Sequence, residues 1–229
     1  MGNHLITGAG SGIGAVVARR LAERGEDIWL FARNARRAAE LRERFPTART
    51  IVADLADPAK LSWMLGQQEL PVEIDSLLHI AGVVQLGEVG DLPVKAWQEQ
   101  LNVNLVAPAE LTRLVLPSVR LVRGHVVFVN SGAGLMAHAN WAGYAASKFG
   151  LRALADSLRA EEQGNGVRVT SVYPGRTATA MQVKVHQQEG AEYDPERWID
   201  PGSVATAILA ALDLPRDAVI TEITVRPGR

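Results

Sequence analysis

The chain has 229 residues, of which 47% are hydrophobic and 21% charged, so it can bury the core of one large domain or two small ones. A formal net charge of −1 excludes the strongly basic character that is typical of nucleic-acid-binding proteins. The absence of cysteine excludes a disulfide scaffold, a cysteine nucleophile and a thiolate metal site, and it suits a reducing compartment.

The termini and one apolar segment bear on location. The first strand-like run begins at Asn3, so no cleavable leader is visible and we expect a cytoplasmic protein. Gly124 to Ser147 is a stretch of 24 residues without Asp, Glu, Lys or Arg, which is long enough to span a membrane. It also contains Asn130, Asn140 and four glycines, which favour a buried strand, a glycine turn and the start of a helix. We therefore expect no membrane association.

Short apolar runs alternate with amphipathic stretches along the whole chain. The runs predict strands at Asn3–Thr7, Asp27–Ala32, Thr50–Ala53, Ser76–His79, His125–Asn130, Arg168–Val172 and Ile220–Val225. The stretches predict helices at Gly14–Arg24, Arg36–Arg44, Pro58–Gln68, Pro93–Val122, Tyr144–Gln163 and Pro201–Leu212. Runs rich in Val, Ile and Leu that mostly do not alternate indicate strands buried on both faces of a parallel sheet. The sequence thus predicts an α/β fold, a doubly wound parallel sheet of about seven strands, in a single domain over residues 1–229.

The first predicted strand runs directly into a glycine-rich turn, Thr7-Gly8-Ala9-Gly10-Ser11-Gly12-Ile13-Gly14, and a helix follows at once. Glycines at this point allow a tight turn, a close approach of the backbone to a pyrophosphate, and close helix–strand packing. The pyrophosphate then meets the free N–H groups at the helix N-terminus. A flexible turn is the alternative, but the position between the first strand and the first helix favours dinucleotide binding.

The end of the second predicted strand bears on which dinucleotide binds. An acidic residue about 20 positions after the glycine turn would bond the ribose of NAD, whereas here the strand ends in Leu30-Phe31-Ala32-Arg33-Asn34. A guanidinium at Arg33 would pair with the 2′-phosphate of NADP, and Arg36 and Arg37 would add to the positive field. Alternatively, these arginines only solvate a helix start. The pattern favours NADP(H) over NAD(H).

Tyr144 and Lys148 lie four residues apart at the start of a predicted helix and therefore share one face. The unperturbed pKa of tyrosine, near 10, is too high for an efficient acid or base at neutral pH, and a nearby ammonium would lower it. The pair would then transfer protons near neutrality. A surface pair is the alternative reading, although the scarcity of lysine in an arginine-rich chain weakens it.

The glycine turn at Thr7–Gly14, followed by Tyr144-Ala145-Ala146-Ser147-Lys148, resembles the short-chain dehydrogenase/reductase family over essentially the whole chain. This resemblance implies a Rossmann fold and an oxidoreductase. It further implies that Ser131 hydrogen-bonds the substrate carbonyl and that Asn104 holds a water in the proton relay. By themselves, Ser131 would equally suit a turn, Asn104 a satisfied polar group within a helix, and Thr179 a helix cap.

The same resemblance implies a cofactor site that several loops build together. Asp54 would contact the adenine, and the segment from Pro174 to Thr179 would hold the nicotinamide carboxamide. The implied cofactor-binding residues are Gly8, Ser11, Gly12, Ile13, Gly14, Arg33, Asp54, Leu55, Ala81, Gly82, Tyr144, Lys148, Pro174, Gly175, Thr177 and Thr179. The C-terminal run Ile223–Pro227 is similar to the last strand of the family.

One loop departs from the family pattern. After the fourth predicted strand the family usually has Asn-Asn-Ala-Gly, whereas this chain has His79-Ile80-Ala81-Gly82. The loss of both asparagines puts in doubt the side-chain bonds that brace this turn. His79 would either replace one of them or be a buried histidine with one satisfied nitrogen. No second histidine or carboxylate cluster has ligand spacing, so we expect no metal site.

These assignments together predict hydride transfer between a nicotinamide ring and a small carbonyl or alcohol substrate. Tyr144 would donate the proton in reduction, Ser131 would orient the reacting oxygen, and Lys148 would lower the pKa of Tyr144 and bind the nicotinamide ribose. An NADP preference favours the reductive direction.

The substrate-side segment, about residues 176–200, contains Met181, Val183, Val185, Tyr193 and Trp198, which suit either a partly apolar ligand or a subunit interface. Because the chain is short for this family, this segment is expected to be trimmed or mobile. Lys184 and His186 would meet an anionic group or face water.

Two alternative functions would use the same fold. A noncatalytic NADP-sensing protein on the same fold has no need for Ser131, Tyr144 and Lys148 together. A dehydratase or epimerase of the extended relatives would need a larger C-terminal domain.

The resemblance also implies a homo-tetramer or homo-dimer through helices Pro93–Val122 and Tyr144–Gln163, although their small residues would equally pack on the sheet. The small residues that would permit close helix approach are Ala142, Ala145, Ala146, Ala153 and Ala155.

Overall fold

The computed structural model describes residues 1–228 and contains one parallel sheet of seven strands. The strands are β1 (Asn3–Thr7), β2 (Asp27–Ala32), β3 (Arg49–Val52), β4 (Ser76–His79), β5 (His125–Val129), β6 (Arg168–Pro174) and β7 (Glu222–Val225). Their order across the sheet is β3-β2-β1-β4-β5-β6-β7, and every neighbouring pair is parallel. The predicted doubly wound α/β sheet is confirmed.

Helices cover both faces of the sheet. They are α1 (Gly12–Glu23), α2 (Ala35–Arg44), α3 (Leu61–Gly66), α4 (Val94–Leu101), α5 (Ala107–Leu121), α6 (Ala142–Glu162), α7 (Ala180–Glu189) and α8 (Pro201–Asp213). One apolar core lies between the sheet and α1, α2 and α8. A second lies between the sheet and α3, α5 and α6. Strands buried between these two cores have no polar face, which explains their continuous apolar sequence.

The strand order reverses at β1, which pairs with β2 on one side and with β4 on the other. In open α/β sheets, ligands bind at such a switch point, in the crevice outside the carboxyl ends of the strands. The fold therefore brings the glycine turn after β1, the loop after β4 and the segments after β5 and β6 to one edge of the sheet.

Two differences from the predicted elements concern this edge. The predicted helix Pro93–Val122 is divided into α4 and α5 by a π-helical turn at Asn102–Val106. The substrate-side segment, expected to be trimmed or mobile, contains helix α7, which the sequence does not predict. The reason is that Gln182 and His186 are buried in α7 and so interrupt its apolar periodicity.

The apolar segment from Gly124 to Ser147 forms β5, a short 3-10 turn at Gly132–Gly134 and the first residues of α6. This is the arrangement predicted from its asparagines and glycines. Within residues 1–228, no helix has the length and apolar character that crossing a membrane requires.

Candidate active site

The glycine turn after β1 makes the closest backbone contacts of the site. Gly8 adopts φ 76°, and a Cβ at this position would lie 2.7 Å from the backbone nitrogen of Ala81. A Cβ at Gly14 would lie 2.4 Å from the carbonyl oxygen of Gly8. Neither position can hold a side chain, because contacts this short do not occur for a real Cβ. The Ser11 side chain does not cap α1, so the N–H groups at the N-terminus of this helix are free to attract an anion in the adjoining cavity.

The loop after β4 is braced without the two asparagines of the family pattern. The Thr7 hydroxyl accepts hydrogen bonds from the backbone nitrogens of Ile80 and Ala81, at 3.0 and 3.1 Å. His79 is buried, with Nε2 2.9 Å from the Thr112 hydroxyl and its ring stacked on Phe128. Burial lowers the pKa of His79 to about 3, so the ring is neutral. His79 is thus a buried core histidine, and Thr7 supplies the brace.

Three of the sequence-predicted catalytic residues line one cavity of about 1020 Å³ at the carboxyl edge of the sheet. Ser131 follows β5, where its hydroxyl accepts a hydrogen bond from the Ala133 nitrogen and caps the 3-10 turn. Tyr144 and Lys148 project from the first two turns of α6 into the same cavity. The glycine turn, Ala81 and Gly82, and Pro174, Gly175, Thr177 and Thr179 also line this cavity. The structure therefore brings together sequence-predicted site residues up to 171 positions apart in the chain (Gly8 and Thr179).

Burial sets the electrostatics of Tyr144. It raises the pKa of the phenol, while a hydrogen bond with Ser131 acts in the opposite direction. The Lys148 ammonium, which was expected to lower this pKa, is not among the causes of the shift. Its nitrogen lies 5.8 Å from the centre of the Tyr144 ring and donates a hydrogen bond to the Val129 carbonyl at 3.0 Å. Burial lowers the pKa of Lys148 itself to about 8.

Asn104 lies in the π-helical turn between α4 and α5 and is fully buried. Its Oδ1 accepts from the Val83 nitrogen at 2.8 Å, and its Nδ2 donates to the Val83 carbonyl at 2.9 Å and to the Ser147 hydroxyl at 3.0 Å. The residue four positions later is Pro108, which has no N–H to give to the Asn104 carbonyl and crowds it sterically. Pro108 therefore accounts for the irregular turn, and the Asn104 carbonyl lacks the donor that an α-helix would provide.

Helix α7 lies along the cavity, and side-chain hydrogen bonds hold both of its ends. Thr179 caps its N-terminus, and Met181, Gln182, Val185 and Glu189 face the cavity. Near its C-terminal end, Glu189 forms two bonds of 2.7 Å with Arg176, whose guanidinium lies 5.9 Å from the Trp141 ring and 5.4 Å from the Trp198 ring.

Gln188 also connects α7 to the loop after β4. Its Oε1 accepts a hydrogen bond of 2.8 Å from the Leu86 nitrogen. The helix thus spans from the segment after β6 to the loop after β4 and encloses the cavity over Tyr144.

Several substrate-side residues now have definite positions. Trp198, Met181 and Val185 line the cavity. Lys184 is exposed, whereas His186 is buried and hydrogen-bonded to Gln182, so His186 neither faces water nor reaches a ligand. Sequence reasoning did not single out Arg176, Trp141 or Glu189, although Arg176 directly follows the Pro174-Gly175 pair.

Three sequence-predicted cofactor residues lie outside the cavity. Arg33 is exposed after β2, and Asp54 and Leu55 follow β3, where the Asp54 carboxylate accepts a bond from the Ala56 nitrogen at 3.0 Å. Two arginines contact the glycine turn. Arg37 and Arg44 donate to the Gly10 carbonyl at 3.0 and 3.4 Å, and Arg37 also pairs with Glu40. The residues that follow β2 and β3 therefore form a polar surface beside the glycine turn, outside the cavity.

Known proteins resemble this chain over nearly its whole length. A sequence model described as short chain dehydrogenase matches residues 3–190. A short-chain type dehydrogenase/reductase of Sinorhizobium fredii is 31% identical, covering 97% of this chain and 90% of the relative.

Solved structures give the same result for the fold. The closed form of a serine dehydrogenase complexed with NADP⁺ is 24% identical with a TM-score of 0.87, covering 98% of this chain and 94% of that one. A 4-hydroxyisoleucine dehydrogenase complexed with NADH and succinate is 25% identical with a TM-score of 0.83, covering 98% of each chain.

Proposed function

This chain belongs to the short-chain dehydrogenase family, and from that premise we propose that it is an NADP(H)-dependent oxidoreductase acting on a small carbonyl or alcohol substrate. The observation that carries the proposal is the single cavity lined by Ser131, Tyr144 and Lys148 together with the glycine turn. A proton donor, a hydrogen-bonding hydroxyl and a dinucleotide cradle within one cavity are the parts that carbonyl reduction needs.

The residues present fit a nicotinamide dinucleotide. The open backbone of Gly8–Gly14 would receive the pyrophosphate at the N-terminus of α1, with Ser11, Gly12 and Ile13 against it. Ala81 and Gly82 would lie along the ribose, and Thr177 and Thr179 would hold the carboxamide. When bound, the nicotinamide supplies or accepts the hydride. That similar proteins were solved with NADP⁺ and with NADH supports this cofactor class.

The preference for NADP(H) rests on charge at the adenosine end. The end of β2 and the helix α2 carry Arg33, Arg36, Arg37, Arg42 and Arg44. Only Glu40 and Glu43 oppose them in that segment, and Arg37 lies on the glycine turn itself. Arg33 would pair with the 2′-phosphate, while Asp54 and Leu55 would flank the adenine. An NADP(H) preference favours reduction in the cell.

Proton transfer is assigned to the residues around Tyr144. In reduction the carbonyl carbon gains the hydride, and Tyr144 gives its phenolic proton to the carbonyl oxygen. Because burial raises its pKa, Tyr144 is protonated at neutral pH and ready to act as the acid. Ser131 hydrogen-bonds the same oxygen. Lys148 would bind the nicotinamide ribose, and the Asn104 carbonyl would hold the water that returns a proton to the relay.

Assembly and location complete the proposal. Ala145 and Ala155 of α6 are buried within the chain, but Ala146, Phe149 and Ala153 are exposed on one face, with Phe149 at 42% exposure. This face suits contact with a second copy, as in a homo-dimer or homo-tetramer. We place the protein in the cytoplasm as part of the proposal, and the absence of cysteine suits such a reducing compartment.

Deuterium transfer tests the proposed reaction directly. NADPH deuterated at the carbon that gives the hydride is incubated with the protein and a panel of small ketones and aldehydes. We expect the alcohol product to carry deuterium on the former carbonyl carbon, and we expect no transfer with Tyr144→Phe. Tight NADPH binding without transfer to any carbonyl would contradict the enzyme assignment and favour a noncatalytic sensor.

A further inference from the structure

Arg226, which directly follows β7, lies beside the proposed catalytic serine. Its side chain lines the cavity, and its Nη1 and Nη2 would lie 3.3 and 3.5 Å from a Cβ on Gly132, the residue after Ser131. One hydrogen bond of 3.2 Å, from Nη1 to the Tyr173 carbonyl, holds the guanidinium over the end of β6. The side chain therefore reaches from the edge strand toward the reacting end of the cavity.

Within residues 1–228, Arg226 has no acidic partner, whereas Arg176, the other arginine that lines the cavity, has one. Across residues 1–228, Glu189 is the only carboxylate that lines the cavity, and it is bound by two hydrogen bonds to Arg176. The Arg226 guanidinium makes no ion pair with any of these residues and is solvent-exposed. Its Nη2 and Nε remain available, so the cavity carries an uncompensated positive charge next to Ser131.

The cofactor phosphates are poorly placed to neutralise this charge. The glycine turn follows β1, whereas Gly132 follows β5, two strands away in the order β1-β4-β5. Neighbouring strands are separated by about 4.8 Å, which puts roughly 10 Å between the two strand ends. Arg226 therefore belongs to the substrate end of the cavity.

We propose that Arg226 binds a carboxylate of the substrate, so that the enzyme acts on short keto acids and hydroxy acids. The proposal rests on the proposed function and names its substrate class. A guanidinium presents paired N–H donors that match the two oxygens of a carboxylate. Val84, Val185, Met181 and Trp141 form an apolar wall near Tyr144 that suits a short carbon chain. A single guanidinium against such walls favours a carboxylate over a phosphate.

Matched pairs of keto acids and their methyl esters test this inference. The pairs are pyruvate, acetoacetate and levulinate, each with its methyl ester, reduced with NADPH at fixed ionic strength. They vary the distance from the ketone to the carboxylate while the ester removes only the charge. In at least one pair, we expect kcat/KM of the wild-type protein to be at least about tenfold higher for the acid.

Variants at Arg226 identify the group responsible. Arg226→Gln should lower kcat/KM for the preferred acid by about tenfold or more, through KM, and leave the ester within about twofold. Arg226→Lys should restore part of the loss, because it keeps the charge but not the paired donors. Arg19→Gln, which removes an exposed arginine on α1, is the matched control and should leave kcat/KM unchanged for both the acid and the ester.

The outcomes separate this inference from the proposed function. Equal kcat/KM for acid and ester in every pair, or an equal loss on both with Arg226→Gln, would overturn the carboxylate subsite while ester reduction and NADPH binding persist. Failure of the proposed function would instead abolish reduction of both acids and esters. The melting temperature of each variant checks that the fold is unchanged.

Discussion

Lys148 donates a hydrogen bond from Nζ to the backbone carbonyl of Val129, 3.0 Å away at the end of β5. This contact fixes a buried ammonium against a strand end without a carboxylate to balance its charge. Burial lowers the pKa of Lys148 to about 8, from the 10.5 of an ordinary lysine. The site therefore holds a cation at an energetic cost, which is the pattern expected where charge serves function.

We predict that Lys148→Met stabilises the fold while abolishing activity. The unfolded chain binds the lysine proton more tightly than the folded chain, so the penalty is present below about pH 8 and disappears as the pH rises toward 10.5. Urea unfolding near pH 7 should show the variant more stable by about 3 kcal/mol.

The pH dependence provides the control for this prediction. The stability of the wild type should rise by about 2 kcal/mol relative to Lys148→Met between about pH 7 and pH 9.5. Lys95→Met, which removes an exposed lysine on α4, should keep the wild-type pH profile. If the free energy of unfolding of Lys148→Met depends on pH in the same way as that of the wild type, the pKa of Lys148 is not lowered in the folded protein.

Tyr144→Phe should lower kcat by at least about a hundredfold and leave NADPH affinity within about twofold, because only the acidic hydroxyl is removed. Steady-state kinetics and fluorescence titration measure the two quantities. Tyr173→Phe is the matched control, since the Tyr173 hydroxyl donates a hydrogen bond to Glu222 on β7 and does not line the cavity. If Tyr144→Phe keeps more than a few per cent of wild-type turnover, another group must donate the proton.

Pro108→Ala should lower kcat by about tenfold, because an N–H at position 108 can satisfy the Asn104 carbonyl and displace the relay water. KM and NADPH affinity should stay within about twofold, because no residue of the π-helical turn lines the cavity. Pro117→Ala, an exposed proline in the same helix α5, is the control for general helix effects. Unchanged kcat in Pro108→Ala would remove the Asn104 carbonyl from the proposed relay.

Arg33→Ala should weaken NADPH binding by about tenfold or more and leave NADH binding nearly unchanged, because only NADPH carries the 2′-phosphate. Paired fluorescence titrations measure both affinities. Arg19→Ala is the control, since that exposed guanidinium pairs with Glu23 on α1 and is not among the arginines at the end of β2 and on α2. If Arg37→Ala weakens NADPH binding more than Arg33→Ala does, the phosphate contact belongs to Arg37, which donates to the Gly10 carbonyl of the glycine turn.

The sequence predicts those parts of the site that are local in the chain. The glycine turn and the Tyr144–Lys148 pair need only a strand, a turn and the first turns of a helix, and the structure has all of these. Helix α7 could not be predicted, because its buried Gln182 and His186 hide its inward face from an apolar pattern. Arg226 and Thr7 could not be identified either, since their contacts join segments 94 and 73 or more residues apart (Arg226 to Gly132, Thr7 to Ile80).

The most direct test of the central claim is a fluorescence titration of the purified protein with NADPH and, in parallel, with NADH. We expect saturable binding of both, with NADPH at least about tenfold tighter, because the glycine turn and the arginines beside it form one dinucleotide site. Equal or tighter binding of NADH would contradict the role of Arg33 and leave the Tyr144 assignment intact. Binding of neither cofactor would contradict the account as a whole.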